Sequence, residues 1–206
     1  MKLYELQQLD EGLMQRVLAA ATLAAGMLIT PTANTPELPA DMVQAIGQRT
    51  GMDKQAMIAK MAAIASDKYH ADPAMVKQVV QLAVKYSYPD FPTAKDLLAV
   101  VGVESSFNPN AVSKLKHDPA RGLLQVRPGV WGMKPQQLST IEDQIKMGAK
   151  VLRSYYKRFG SREAALHAFN VGPKNHIKSA KQPNKGNPRY VPKVDAEERL
   201  YAELER

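Results

Sequence analysis

The chain has 206 residues, no cysteine, and 28 lysines and arginines against 20 acids, for a formal charge of +8 and a pI near 9.6. That length holds one ordinary domain plus an extension, and the absence of cysteine excludes disulfides, thiolate metal sites and a cysteine nucleophile. The positive balance suits polyanionic surroundings, whether nucleic acid, anionic lipid or wall polymers bearing carboxylates and phosphates. Aromatic residues make up only 6%, and the apolar supply is mostly Ala, Val, Leu, Ile and Met, which predicts a mainly helical protein and excludes an all-β one.

Residues 17–30, VLAAATLAAGMLIT, form the longest uncharged apolar run and are too short to span a bilayer comfortably. Two readings stay open. With Ala33 as a small residue for cleavage, the run has the length of a secretory core, although Glu5, Asp10 and Glu11 spoil the positive start. Alternatively Leu3, Leu6, Leu13, Val17, Ala21, Ala24 and Leu28 space out an amphipathic packing helix. Three prolines in 31–40, PTANTPELPA, read as a linker. The expected organisation is thus an N-terminal segment and linker over 1–40, a helical extension over 41–72, the main domain over 73–195 and a charged, exposed terminal helix over 196–206.

Between 41 and 87 the spacing predicts one helix around Met52–Ser66, capped by Asp53, and another over Pro73–Tyr86, with Met42, Met52, Met57, Met61 and Met75 packing into a core. Thr93 and Asp96 form a capping-box-like start for a helix through Leu97, Val100, Val101 and Glu104, stopped by Pro109. In 122–127, GLLQVR, alternation predicts a short strand. Ser139 and Glu142 suggest a cap for a helix running to Gly160, and Ser161 caps the next, which ends at Gly172-Pro173 with Asn170 near its end. Residues 174–189 carry Lys174, Lys178, Lys181, Lys185 and Arg189 without an acid and read as an exposed basic loop, either simply solvated or touching an anionic substrate.

Glu104 is out of character in VVGVESSFNPNAVS. On a helix it shares a side with Leu97, Val100 and Val101, so its carboxyl group is expected to be desolvated, and the negative end of the helix dipole adds to the same effect. Both favour the protonated form, which is what a glycosidic oxygen needs in order to leave. The competing reading is an ordinary ion pair or loop cap.

Four segments in order, ESSFNPNAVS at 104–113, RGLLQV at 121–126, AFNVGP at 168–173 and RYVPKV at 189–194, resemble the soluble lytic transglycosylase family. The resemblance covers roughly 75–195. It implies an α+β, lysozyme-like fold, with a short β element lining a sugar-binding cleft, and peptidoglycan glycan strands as substrate. It also implies that Glu104 is the single acid and later base acting on the bond between N-acetylmuramic acid and N-acetylglucosamine. Ser105 would help orient the sugar, or else bond its own backbone. Gln125 would meet an acetamido group, Asn170 matches the family asparagine, and Tyr190 would orient the acid or merely pack. Leu124, Phe169 and Val171 depart from the usual Met, Tyr and Ala, and KLKHDPAR at 114–121 replaces a shorter approach to Gly122.

Hydrolysis with retention or inversion needs a second carboxylate, and none of the four segments supplies one. A single acid fits an internal reaction that ends in a 1,6-anhydro sugar. The rivals are an inverting muramidase using Asp118 and a non-catalytic wall-binding or virion protein. A nucleic-acid partner lacks any recognition motif or interleaved aromatics. No cofactor or metal is expected, since the histidines, His117 and His167 among them, form no ligand set. Wall substrate implies action outside the cytoplasm or on a virion, and membrane or virion association through the N-terminal segment stays open.

Overall fold

In a computed structural model the described residues are 40–181 and 188–202. The expectations for 1–39, including the 17–30 segment and the linker, lie outside them. By its contacts the chain divides after Ala56 into two units. The described part of the first is the opening of helix α1, Ala40–Tyr69. Asp53 lies inside α1 and is not its cap. Met61 is buried, Met75 is partly buried, and Met57 is exposed, contrary to its expected place in the core.

The second unit continues with α2, Pro73–Tyr86, and α3, Ala94–Ser105. Then come short 3-10 turns at Gly129–Trp131 and Pro135–Leu138. Helices α4, Ile141–Phe159, α5, Arg162–Val171, α6, Pro173–Lys181, and α7, Tyr190–Ala202, complete it. It is a mainly helical domain. No helix among the described residues is long and apolar enough to cross a membrane.

Helix α3 is central because its sequence leaves it no polar face: residues 97–101, LLAVV, are all fully buried. Burying each Leu or Val contributes about 1.5–3 kcal/mol. The predicted capping box holds, with Asp96 N donating to Thr93 Oγ1 and Thr93 N to Asp96 Oδ2 at 2.9 Å. Helix α4 starts one residue later than expected, because Thr140, with its hydroxyl on Asp143, is the cap and Ser139 closes the preceding turn. It ends at Gly160, as its spacing predicts. Ser161 caps α5 through Ala164 N.

Three expectations fail. Residues 122–127 form no strand: the only pairing they enter is an isolated bridge between Val126 and Arg121, which itself bridges to Val112. Gly122 at φ 72° and Gln125 at φ 48° coil the segment into turns, so Leu123 and Leu124 both enter the core instead of alternating. The supposed basic loop is helical over its first part, α6. The C-terminal helix is not simply exposed over its described residues: α7 begins at Tyr190, runs to Ala202, and buries Val194 and Tyr201.

One arginine ties three helices. Arg162 on α5 donates from Nε to Asp96 on α3 at 2.7 Å, and from Nη1 and Nη2 to Asp195 and Glu198 on α7 at 2.7 and 2.6 Å. Asp96 is only 2% exposed; Thr93 holds its Oδ2, and Arg162 supplies the positive charge on Oδ1. Tyr69 of α1 adds a hydrogen bond to Glu197 on α7 and stacks on Phe107, with centroids 5.1 Å apart. Arg162→Met should strand the buried Asp96 carboxylate and lower the stability of the domain by about 3 kcal/mol, measured by urea denaturation. The parallel substitution of exposed Lys77 should leave it within about 0.5 kcal/mol.

Candidate active site

Helix α3 ends beside a cleft. Ser106 caps it in the left-handed region at φ 52°, and Phe107 follows at φ 61°. Two successive non-glycine residues in that conformation cost about 1–2 kcal/mol each, which burial of Phe107 against Tyr69 offsets. The turn releases the chain at once and leaves Glu104 at the end of the helix, facing a cleft of about 690 Å³.

Burial is the main influence on the Glu104 carboxyl and pushes it above the ordinary glutamate range; a hydrogen bond from Tyr190 pulls the other way and is outweighed. That bond runs from Tyr190 Oη to Glu104 Oε1 at 2.6 Å. Tyr190 is 2% exposed. Burial first, then the neighbouring Glu104 charge and their hydrogen bond, raise its phenol well above its usual value, so it stays a donor.

Of the other residues expected at the site, Gln125 and Asn170 line the cleft with Glu104. Gln125 has less freedom than expected: its Nε2 donates to the carbonyls of Ala111 and Gly122 at 3.1 and 2.9 Å, leaving Oε1 as an acceptor for an acetamido N–H. Ser105 does not line the cleft, and its hydroxyl donates to Val101 O, one turn back. Tyr190 does not line it either and acts on the acid from within the core.

Asp118 is not placed as a second catalytic carboxylate. Its oxygens accept from Gly129 N at 2.7 Å and Val130 N at 3.2 Å, with Arg127 Nε 3.5 Å away, and it is absent from the cleft wall. Each oxygen accepts one backbone N–H of the 129–131 turn. Among the described residues lining the cleft, Glu104 is the only acid.

Several cleft residues went unnoticed in the sequence. Trp131, the sole tryptophan, and Tyr155 pack with centroids 5.8 Å apart and form an aromatic wall, the kind of surface on which a sugar ring can stack. Gln144 is 5% exposed; its Oε1 accepts from Leu123 N, and its Nε2 donates to Pro109 O and Leu138 O. A Cβ at Gly122 would strike that amide. His167 is not a lone histidine, since its Nδ1 lies 3.0 Å from Nδ1 of His176. No cluster of three or more His, Cys, Asp or Glu suited to a metal occurs among the described residues.

A carboxyl group whose folded pKa exceeds its unfolded one retains its proton longer in the folded state. Its contribution is complete below the unfolded value and is lost as pH rises through the folded value. Glu104→Gln should therefore raise the melting temperature at neutral pH and leave it nearly unchanged near pH 4, as followed by calorimetry at both pH values.

Residues 92–191 match the family model described as Transglycosylase SLT domain. Among solved structures, the 70 kDa soluble lytic transglycosylase SLT70 from Escherichia coli superposes with a TM-score of 0.52 at 20% identity, over 70% of this chain and 30% of that one. The likeness is therefore one of fold, to a minor part of a longer protein. No curated protein matches the chain. The turns and helices around Glu104 belong to an SLT-family domain with the lysozyme-like fold.

Proposed function

We propose that the protein is a lytic transglycosylase that cuts the β-1,4 bond between N-acetylmuramic acid and N-acetylglucosamine in peptidoglycan, without consuming water. The observation that carries this reading is the solitary acid: Glu104 lines the cleft with no second carboxylate among the described lining residues, and burial biases it toward the protonated form. Retaining and inverting hydrolases each need a second acidic partner.

In the proposed reaction Glu104 Oε2 gives its proton to the bridging oxygen as the C1–O bond breaks. The muramyl acetamido oxygen stabilises the positive charge at C1. Glu104, now a carboxylate, takes the proton of the 6-hydroxyl of the same sugar, whose oxygen closes onto C1. The acid is regenerated, and the products are a free 4-hydroxyl and a 1,6-anhydro-muramyl end. Tyr190 holds the acid in place during both proton transfers. Gln125 and Asn170 contact the sugar's polar groups and Trp131 its face; Ser105 is left a supporting position on the helix.

The substrate places the site of action outside the cytoplasm, in the periplasm or wall, or on a virion. Residues 73–195 are proposed as the catalytic domain, with 41–72 as a helical extension. Because Met61 and Ala65 belong to the same core as α3 and Tyr69 packs against it, the part of that extension after Ala56 supports the fold as well as preceding it.

Mass spectrometry of digested peptidoglycan should show anhydro ends, each lighter by one water than the hydrolytic product; reducing muramyl ends would refute the reading. Glu104→Gln should lower turnover about 10²- to 10⁴-fold while the protein still sediments with peptidoglycan. Tyr190→Phe removes the bond that favours the ionised carboxyl, so the alkaline limb of the pH profile should move to higher pH. Its rate should also fall about ten- to a hundredfold as the acid loses its fixed orientation.

A further inference from the structure

The cleft is lopsided in charge. Its single acid is biased toward neutrality by burial, yet two cations, Arg127 and Lys174, also line it. Charged side chains in a cleft with low-dielectric walls raise the local concentration of the opposite charge.

Arg127 is held by a built turn. Asp118, in the left-handed region at φ 52°, accepts from Gly129 N and Val130 N, and its carbonyl accepts from Arg127 Nε at 3.2 Å. Only this edge of the guanidinium is engaged; Nη1 and Nη2 have no protein partner among the described residues. Asp118 offsets part of the charge through the Nε edge and leaves the fork that suits a carboxylate. Leu115 and Val130, also in the cleft wall, are 50% and 54% exposed and offer apolar surface. Lys174, near the start of α6, is exposed and has no partner among the described residues.

We propose that Arg127 and Lys174 select glycan strands whose muramyl sugars carry a carboxylate on the 3-lactyl substituent, with Leu115 and Val130 packing the apolar part of that group. This rests on the function proposed above. The carboxylate has two sources: the lactyl group itself where the strand has lost its peptide, or the peptide where it is retained. Neutral N-acetylglucosamine oligomers carry neither.

The test uses the full chain with Glu104→Gln and titration calorimetry against three oligosaccharides of equal length: N-acetylglucosamine only, muramyl with a free lactyl group, and muramyl bearing peptide. At low salt at least one anionic ligand should bind about three- to tenfold more tightly than the neutral one, and the advantage should shrink as salt rises. Which ligand gains identifies the source of the carboxylate. Lys174→Met and Arg127→Met should each erase much of that advantage and leave the neutral oligomer within about twofold. Lys174 makes no contact that folding needs, so its variant stays informative even where Arg127→Met disturbs the Asp118 turn. Equal binding of all three ligands, or equal weakening of all three by the Lys174 substitution, overturns the carboxylate selection alone. Binding of none overturns both this proposal and the assigned substrate.

Discussion

The hydrogen bond between Tyr190 and Glu104 joins residues 86 positions apart, and it exists because α7 lies along α3. That docking is held by the three-way Arg162 cluster, by Tyr69 on Glu197, and by the burial of Val194 and Tyr201. Loosening α7 would cost more than packing. It would open Glu104 further to water, weaken the desolvation that biases the carboxyl toward its protonated form, and release the side chain from a defined rotamer. Stability and proton donation are thus coupled through one helix pair.

The opposite wall of the cleft is made of turns, which ordinarily vary in position. Here side-chain amides fix them. Gln144 reaches from α4 to three loop segments at once, and Gln125 fastens its own turn to residues 111 and 122. A satisfied buried amide such as that of Gln144 selects one loop arrangement, because any other would leave a polar group unpaired in the core. The cleft is preorganised by helices behind Glu104 and by side-chain amides in front of it.

Much of this was legible in the sequence wherever a residue's environment is local. The cap at Thr93, the stop at Gly160 and the placement of Glu104 at the end of an apolar helix follow from spacing within a turn or two. The failures share a different cause. GLLQVR alternates like a strand, but two residues in the left-handed region and the reach of Gln144 override that pattern. DAEERL reads as a solvated face until Arg162 and Tyr69, distant in sequence, are brought against it. Asp118 looked available as a base because nothing nearby in sequence reveals that residues 129 and 130 donate to it. Gln144 and Trp131 carried no local signal beyond being a polar residue on a packing face and a lone tryptophan.

The most direct measurement is a carbon-13 NMR titration of the Glu104 carboxyl in the full-length protein, with Tyr190→Phe as the partner sample. An apparent pKa above that of ordinary glutamates, rising further when the phenol is removed, is the expected result. A carboxyl group that titrates like an exposed glutamate and ignores the loss of Tyr190 would contradict the picture of a buried, tyrosine-oriented proton donor.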